Sequence, residues 1–463
     1  MNLFHIVLRN LQFRRLASFL TLLSMALGVT LVVLVLTVAG IIRESFQRNT
    51  SVGYNLVVGP KGSPLQLTMS SVLFVGQPIN STLPYSYFLE YLPGNGRQKA
   101  IEEIGGKIDA PERAGRYAMF INGGFAIPIC MGDYIGTFRV VGTTEEYLTT
   151  LRHGPANDRE FRFAKGRNFE KMSKENGFFE AVIGSVVAAD LKLKIGDVIK
   201  PTHGPEGEAH SSGFTVVGIL EPTGTPNDRV ALINIEGFYL LEGHVAPERD
   251  EETGLEKNAE SHRTSEEVAS APKTKVLKPL PIEQREVTAI LVKTSGFGIG
   301  IQQQINKSKS AQAVSPVGEI TGLLENFFKP TEFALLGLTI LVCIVSAISI
   351  LVGIYNSMNE RTHDIAVMRA LGASRDRVLA IILGEALLIS VGGGILGWGF
   401  GHLVSYLASP MVEYRTGIRI GFFDLNSATE PYIIPGLIVV GILAGLLPAI
   451  MAYRTDVSKS LSS

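Results

Sequence analysis

Four long apolar runs dominate the pattern of hydrophobic and polar positions along the chain. They cover residues 16–42, 333–354, 378–407 and 432–453, and only the third contains ionisable side chains, Glu385 and His402. A helix needs about 20 apolar residues to cross the hydrocarbon core of a bilayer, because its backbone amides must be hydrogen-bonded internally there. The pattern therefore predicts four transmembrane helices, named TM1 to TM4 in chain order. The first run is too long for a signal peptide, so we interpret it as a retained helix.

The distribution of basic residues predicts how these helices are oriented. Nine arginines or lysines lie in the N-terminal segment, the TM2–TM3 loop and the C-terminal tail, whereas the TM3–TM4 loop has two. Positively charged short loops remain in the cytoplasm. We therefore expect a multi-pass inner-membrane protein with both termini cytoplasmic. Its cytoplasmic pieces would be residues 1–15, 355–377 and 454–463, and its external pieces would be residues 43–332 and 408–431.

The large segment between TM1 and TM2 has the pattern of a folded α+β domain. Short β-branched runs alternate there with helical stretches such as residues 185–193 and 300–307. The strand-like runs are residues 55–58, 138–141, 181–183, 214–220, 230–233 and 287–292. Such alternation is typical of mixed helix and sheet. The fold class is thus a membrane α-helical protein with four transmembrane helices and a large α+β extracytoplasmic domain inserted between helices 1 and 2.

Residues 244–286 interrupt this pattern. Glu, Lys, Ser and Pro are crowded there and large apolar residues are few. Such a composition buries too little apolar surface to order itself, so we predict a flexible insertion. Its His244 and His262 are either metal ligands or parts of a solvated linker, and we favour the linker.

Composition and missing motifs narrow the function. The chain has 42 Lys and Arg against 43 Asp and Glu, which does not fit a basic nucleic-acid-binding protein. No GxxxxGK[ST], HExxH or GxSxG sequence occurs in its 463 residues. We therefore expect a non-catalytic membrane subunit without a cofactor, a metal or a nucleic-acid partner. The expected partners are membrane lipid and other proteins.

Small and ionisable residues inside the predicted membrane helices are further candidates. Gly393, Gly397 and Gly401 form a row at four-residue spacing in TM3, and Gly441 and Gly445 do so in TM4. Such rows let helix backbones approach closely in lipid, so we predict packing interfaces there. Glu385 and His402 stand about 25 Å apart along one helix and on different faces, so they do not share a site within the chain.

The TM2–TM3 loop has the pattern of a short amphipathic helix. Ile365, Met368 and Leu371 fall on one helical face. Polar residues precede or interrupt that face, namely Glu360, Arg361, Asp364 and Arg369, and Gly372 is placed to end the helix. Ser374 is placed to cap the next one. The alternative is a connector whose arginines only enforce topology.

This loop also carries a family resemblance. The run Asn359-Glu-Arg-Thr-His-Asp-Ile-Ala-Val-Met-Arg-Ala-Leu-Gly-Ala-Ser-Arg375 and the run Leu447-Pro-Ala-Ile-Met-Ala-Tyr-Arg454 resemble the permease domain of ABC transporters of the MacB/FtsX/LolC type. Residues 182–197 and 214–222 are similar to the periplasmic core domain of that family. The resemblance implies a dimer of permeases, either homodimer or heterodimer. It also implies a separate ABC ATPase that binds ATP and docks on the cytoplasmic loop, and a possible periplasmic or outer-membrane partner.

In such systems the permease works by mechanotransmission. ATP hydrolysis by the partner would move the helix from Glu360 to Gly372, and this motion would reach a periplasmic domain that handles a lipoprotein, peptide, lipid or drug-like substrate. We expect Ile365, Met368 and Leu371 to fill a groove on the ATPase. One alternative is an FtsX-type regulator that activates a periplasmic cell-wall hydrolase without transport. Another is an anchored receptor without an ATPase.

Overall fold

The computed structural model describes residues 3–13, 15–49, 53–154, 156–241, 243–244, 278–296, 298–360, 362–416, 421–422 and 430–454. The chain divides into two compact units. A helical unit comprises residues 1–44 and 324–463, and a sheet unit comprises residues 45–323. All four apolar runs fall in the helical unit.

The α-helices follow one another in chain order as α1 (Leu3–Phe13), α2 (Arg15–Asn49), α3 (Pro64–Val72), α4 (Tyr85–Leu89), α5 (Gly94–Ile104), α6 (Glu146–Thr150), α7 (Ser185–Asp190), α8 (Ile235–Tyr239), α9 (Gly298–Asn306), α10 (Pro316–Leu323), α11 (Lys329–Glu360), α12 (Thr362–Ala370), α13 (Arg375–Thr416) and α14 (Ile433–Arg454). Four helices among the described residues are long and apolar enough to cross a membrane, and they correspond to α2, α11, α13 and α14. The prediction of four such helices is confirmed.

The helices extend past the apolar runs from which they were predicted. α2 continues to Asn49 instead of residue 42, α11 begins at Lys329 instead of residue 333, and α13 covers Arg375–Thr416 instead of residues 378–407. The difference arises because an uncharged run marks only the part that tolerates lipid, whereas helical hydrogen bonding continues into water. The predicted TM3–TM4 loop therefore begins after Thr416.

The strands of the sheet unit are β1 (Leu56–Pro60), β2 (Leu83–Pro84), β3 (Phe125–Ile135), β4 (Phe138–Thr143), β5 (Phe163–Gly166), β6 (Glu180–Ile183), β7 (Val198–Ile199), β8 (Phe214–Leu220), β9 (Val230–Asn234), β10 (Glu286–Val287), β11 (Ala289–Lys293) and β12 (Ala311–Val314). Ten of them form one mixed sheet in the order β12-β1-β11-β3-β4-β9-β6-β8-β5, with β7 beside β8. β2 and β10 form a separate pair. The six predicted strand-like runs coincide with strands except at Asn55, which precedes β1, and Thr288, which lies between β10 and β11, so the α+β prediction is confirmed.

Both faces of this sheet are covered by apolar side chains. Along β6, Ala181 and Ile183 belong to one buried cluster and Val182 belongs to the other. Successive side chains of a strand point to opposite faces, so an uninterrupted apolar run such as this one indicates a strand buried on both sides. The sheet is thus the interior of the unit.

The predicted flexible insertion at residues 244–286 requires correction at both ends. Residues 245–277 lie outside the described part of the chain, but Ile282 is buried in the core of the sheet unit. Arg285 is also buried, because its guanidinium pairs with the carboxylate of Glu236. Composition averaged over 43 residues concealed these few anchoring side chains.

This ion pair lies in an aromatic environment. Nη1 and Nη2 of Arg285 donate to Oε1 and Oε2 of Glu236 at 2.8 and 2.6 Å. The Arg285 Cζ atom is 5.3 Å from the ring centre of Tyr85 and 5.1 Å from that of Tyr239. A bidentate geometry between planar groups satisfies both charges within the core.

We predict that Arg285→Met lowers the free energy of unfolding by about 3–5 kcal/mol, because it leaves the Glu236 carboxylate buried without its cation. The double variant Arg285→Met/Glu236→Leu removes both charges and should recover most of this loss. Pulse proteolysis in urea of the detergent-solubilised chain measures both. A double variant as unstable as the single one would contradict the uncompensated-charge explanation.

Candidate coupling helix and helix packing

The helix predicted in the TM2–TM3 loop is α12, at Thr362–Ala370. Ile365 and Ala366 are buried against the other helices of the unit, and Met368 packs against the same cluster. Leu371, which immediately follows the helix, is 84% exposed. The expectation that Ile365, Met368 and Leu371 together fill a groove on a partner is therefore wrong for the first two. Ile365 is buried within the chain's own helices, and Met368 is half-buried against them.

A different stripe of α12 faces solvent. Val367 and Leu371 are both exposed, and they are four residues apart, so they lie one above the other. His363, four residues before Val367, is exposed on the same stripe. We call His363, Val367 and Leu371 the outer stripe. Arg361 and the side chains of Glu360 and Asp364 lie outside the described residues, and Arg369 is half-buried.

The C-terminus of α12 has a Schellman motif. Gly372 has a φ of +99°, its N–H donates to the Arg369 carbonyl, and the N–H of Ala373 donates to the Met368 carbonyl. Glycine is favoured here because a side chain in the left-handed region is strained. Ser374 then caps α13, since its Oγ accepts from the N–H of Arg377 at 3.4 Å. The two helices are joined by a short turn with both ends capped, at the positions that the sequence predicted.

Beneath α12 lies a cavity of about 220 Å³ that is lined by α1, α11, α12 and α13. Glu385 of α13 is buried at its wall, and Nδ2 of Asn10 donates to its Oε1 at 2.6 Å. The sequence predicted only a cytoplasmic location for residues 1–15, so the helix α1 and this contact were missed. Glu385 is thus held by a polar partner from the N-terminal helix, which offsets the cost of burying its carboxylate. His402 lies elsewhere on α13, with its ring centre 4.7 Å from that of Trp398.

The glycine row of α13 lies against α2. A Cβ atom built at Gly397 would be 2.3 Å from the carbonyl oxygen of Ala26, and one at Gly393 would be 2.8 Å from that of Leu22. At Gly401 it would be 2.8 Å from the side chain of Val33. Real Cβ atoms do not approach backbone oxygens so closely, so any larger residue would separate the helices.

A polar contact accompanies this close approach. Oγ1 of Thr30 in α2 lies 2.8 Å from the carbonyl oxygen of Ala26 and 3.0 Å from that of Gly397, so its single proton is placed to be donated to either or shared between them. The two glycines of α14, Gly441 and Gly445, allow a similarly close approach between α14 and α13. Cβ atoms at Gly441 and Gly445 would lie 3.0 Å from that of Ser390 and 2.6 Å from that of Ala386. α13 is therefore packed closely on two sides.

The sequence did not predict a polar cluster in the sheet unit. Asp133, His203, His210 and His244 bring one carboxylate and three imidazoles together, and we call them the Asp133 cluster. The interpretation of His244 as part of a solvated linker is wrong, because its side chain is 7% exposed and contacts Asp133. Burial by itself favours a raised pKa for the Asp133 carboxyl. The imidazoles of His210 and His244, which face this carboxyl, have a larger opposite effect and hold its pKa below the ordinary value. The only signal in the sequence was the close spacing of His203 and His210.

Comparisons with known proteins agree with this architecture. Residues 18–271 match the family described as MacB-like periplasmic core domain, and residues 336–457 match the FtsX-like permease C-terminal family. The first match covers more than half of the chain and contains most of the sheet unit. The second covers most of α11 and all of α12, α13 and α14.

Individual relatives point the same way. An uncharacterised ABC transporter permease of Methanocaldococcus jannaschii is 26% identical over 64% of this chain and 65% of its own length. The macrolide export ATP-binding/permease protein MacB of Escherichia coli is 32% identical over 30% of this chain and 22% of its own length. The MacB protein of Bdellovibrio bacteriovorus is 24% identical over 62% of this chain, and the match spans 39% of that relative. With four membrane-capable helices and both domain matches in one chain, this multi-pass membrane protein belongs to the MacB/FtsX family of ABC transporter permeases.

Proposed function

We propose that this chain is a permease subunit that couples ATP hydrolysis by a partner ATPase to movement of its sheet unit. The observation that carries the proposal is the outer stripe of α12. A short helix capped at its C-terminus, set between two membrane-capable helices, presents Val367 and Leu371 to solvent. Val367 and Leu371 adjoin each other on this face, and contiguous exposed apolar side chains are a feature of protein interaction sites.

The proposed orientation rests on charge. The arginines at positions 369, 375 and 377 lie in or beside α12, and short loops rich in arginine remain cytoplasmic. α12 then faces the cytosol, where ATP is available, and the sheet unit lies on the opposite side of the membrane. Both termini are cytoplasmic in this arrangement, and residues 45–323 are periplasmic.

The two faces of α12 have different roles in this proposal. Ile365 and Met368 attach the helix to the helical unit, because they pack against the cluster that includes Ile354 and Ile382. Val367 and Leu371 contact the ATPase. A displacement imposed at the outer stripe is then passed to α11, α13 and α14 through this cluster, which contains side chains from all three helices.

The proposed substrate is handled in the periplasm and belongs to the lipoprotein, peptide, lipid or drug-like classes. Relatives are named for macrolide export, and the match to a MacB-like periplasmic core domain supports a transport role. That match weighs against the FtsX-type regulator of a cell-wall hydrolase. The working assembly is a dimer of permeases, with the same or a similar chain as the second copy.

We predict the following topology from the arginine distribution. A single cysteine introduced at Ser211 should react with a membrane-impermeant maleimide in intact spheroplasts, because the sheet unit is external. A cysteine at Ser374 should react only after permeabilisation. Both are tested in a background in which Cys130 and Cys343 are replaced by serine. Equal labelling of the two positions in intact spheroplasts would disprove the orientation.

We predict that Leu371→Glu weakens ATPase binding by about 10- to 100-fold. Burying a leucine at an interface is worth about 1.5–3 kcal/mol, and a buried carboxylate adds a further cost. Binding of the purified ATPase to the detergent-solubilised chain is measured by biolayer interferometry, and ATP-dependent transport is measured in proteoliposomes.

The matched control is Met119→Glu, which adds the same charge at a methionine of the sheet unit that is 76% exposed. It should leave ATPase binding unchanged. Met368→Glu is a poorer probe because Met368 packs inside the helical unit. Unaltered ATPase binding and transport by a correctly inserted Leu371→Glu chain would mean that the outer stripe is not the docking surface.

A further inference from the structure

The Asp133 cluster brings together three separate segments of the sheet unit. Asp133 is in β3, His203 and His210 are in the loop between β7 and β8, and His244 follows α8. The carboxylate of Asp133 is fully buried, and its Oδ1 is 3.2 Å from Nδ1 of His203. Its Oδ2 is 3.3 Å from Nε2 of His210 and 3.2 Å from Nε2 of His244. All four ligand atoms lie within 4.8 Å of one another.

A β-bulge directs the Asp133 side chain into the cluster. Met131 pairs with Val141 and Tyr134 pairs with Arg139, so β3 has one more residue than β4 between these two pairs. Paired residues lie side by side on one face, so Met131 and Tyr134 face the same side although they are three residues apart. Asp133, as the neighbour of Tyr134, therefore points to the opposite face. Bulges of this kind commonly re-aim a side chain at a functional position.

Backbone pairing fixes the two histidines of the loop. Tyr134 and Thr202 exchange N–H···O bonds of 2.9 Å in both directions, which places His203 beside Asp133. The N–H of His210 donates to the carbonyl of Pro201 at 2.9 Å, so the loop returns to the same point. The ring centres of His203 and His210 are 4.4 Å apart.

His244 is fixed independently from the other side. Its N–H donates to the carbonyl of Leu241 in the turn that follows α8. Its ring centre is 4.3 Å from that of Phe238, a residue of the buried core. The three histidines are thus positioned by a loop and a turn that are attached separately to the sheet, and they converge on one carboxylate.

The cluster contains buried polar atoms that the described residues leave without a hydrogen bond of acceptable geometry. Those that face one another are Oδ1 and Oδ2 of Asp133 and Nε2 of His210. Buried polar atoms are almost always paired in folded proteins, since an unpaired one costs about 1–3 kcal/mol. The side chains of Asp133 and His210 are 0% and 3% exposed, so bulk water does not satisfy them. This concentration of unpaired atoms at one point indicates a ligand between them.

The distances fit a tetrahedral metal ion. Nitrogen and oxygen ligands lie about 2.0–2.1 Å from Zn²⁺, and the corners of such a tetrahedron are about 3.3 Å apart. Oδ2 of Asp133 is 3.3 Å from Nε2 of His210 and 3.2 Å from Nε2 of His244, and both separations match that edge. His203 faces the other carboxylate oxygen, Oδ1, at 3.2 Å, and the four ligand atoms lie within 4.8 Å of one another. Three imidazoles and one carboxylate suit Zn²⁺ better than Mg²⁺ or Ca²⁺, which prefer oxygen ligands.

We propose that the sheet unit binds one Zn²⁺ ion through Asp133, His203, His210 and His244. Four protein ligands form a closed site, which is the arrangement of structural rather than catalytic zinc. His203 is 57% exposed and gives the ion a path from solvent. Cys130, in the same strand, does not belong to this group of ligands, since its Sγ is 3.3 Å from the Tyr239 hydroxyl and 3.3 Å from the Glu286 carbonyl. The bound ion cross-links β3, the β7–β8 loop and the turn after α8.

The test uses the full chain in detergent, stripped with a chelator and then given Zn²⁺. We expect one Zn²⁺ per chain by mass spectrometry of the metal content, with the affinity measured against a chromophoric chelator. Replacing a group that only orients a metal ligand weakens metal binding by about 10- to 100-fold. Replacing a ligand itself, as in His210→Ala or Asp133→Asn, should therefore weaken zinc binding by at least about 100-fold. Zinc should raise the melting temperature of the unaltered chain and not that of these variants.

The matched control is His153→Gln, which changes a buried histidine of the same unit that contacts the Glu160 carbonyl instead of the cluster. It should keep the affinity of the unaltered chain. Failure of the unaltered chain to retain zinc, or equal affinity in His210→Ala, would overturn the proposal.

A second variant keeps the test decisive if His210→Ala does not fold. His203→Cys replaces an exposed side chain with another zinc ligand, so the chain should still bind one ion. With Co²⁺ as the probe, the variant should gain a thiolate-to-cobalt charge-transfer band that the unaltered chain, with Cys130 and Cys343 in place, does not show. An unchanged cobalt spectrum in a folded His203→Cys chain would exclude position 203 from the coordination sphere and disprove the four-ligand site.

Discussion

The pairing of β1 with both β11 and β12 is the constraint on which the rest of the architecture depends. Val57 lies opposite Leu291 on one side and Val314 on the other, so the first strand of the sheet unit is held between two of its last strands. A unit inserted into a helical protein must return the chain to where it left. This pairing does so within the sheet unit. Within the helical unit α2 and α11 pack together, with the hydroxyls of Ser24 and Ser346 3.0 Å apart.

Strands with a clear β-branched pattern were predictable from the sequence, whereas strand β3 was not. β6, β8 and β9 are short runs rich in valine, isoleucine and other apolar residues, and their environment on both faces of the sheet agrees with that pattern. β3 contains Pro128, Gly132 and Asp133, which are residues that local preference assigns to turns. Its place in the centre of the sheet depends on pairing with β4 and β11, and such long-range pairing has no signature within the strand itself.

The helical periodicity of the TM2–TM3 loop identified α12 but not which partner covers its apolar face. Ile365 and Met368 satisfy the same pattern whether they pack against their own chain or against another protein, because the hydrophobic effect does not distinguish the two. In the structure these two side chains pack in a cluster with residues of α11, α13 and α14 of their own chain. The Asp133 cluster was hidden for a related reason, since its four residues are spread over more than 100 positions and only the fold brings them together.

The short capped turn between α12 and α13 also has a geometric consequence. Gly372 and Ser374 are hydrogen-bonded to the adjoining helix ends, so the link between α12 and α13 is capped on both sides. From Arg375 to Pro410, α13 extends for about 50 Å at 1.5 Å per residue. If a rigid helix of that length tilts about its N-terminal end, its C-terminal end moves by about 1 Å for each degree of tilt. A rotation too small to disturb the packing around Ile365 therefore becomes, at the other end of α13, a displacement of atomic size.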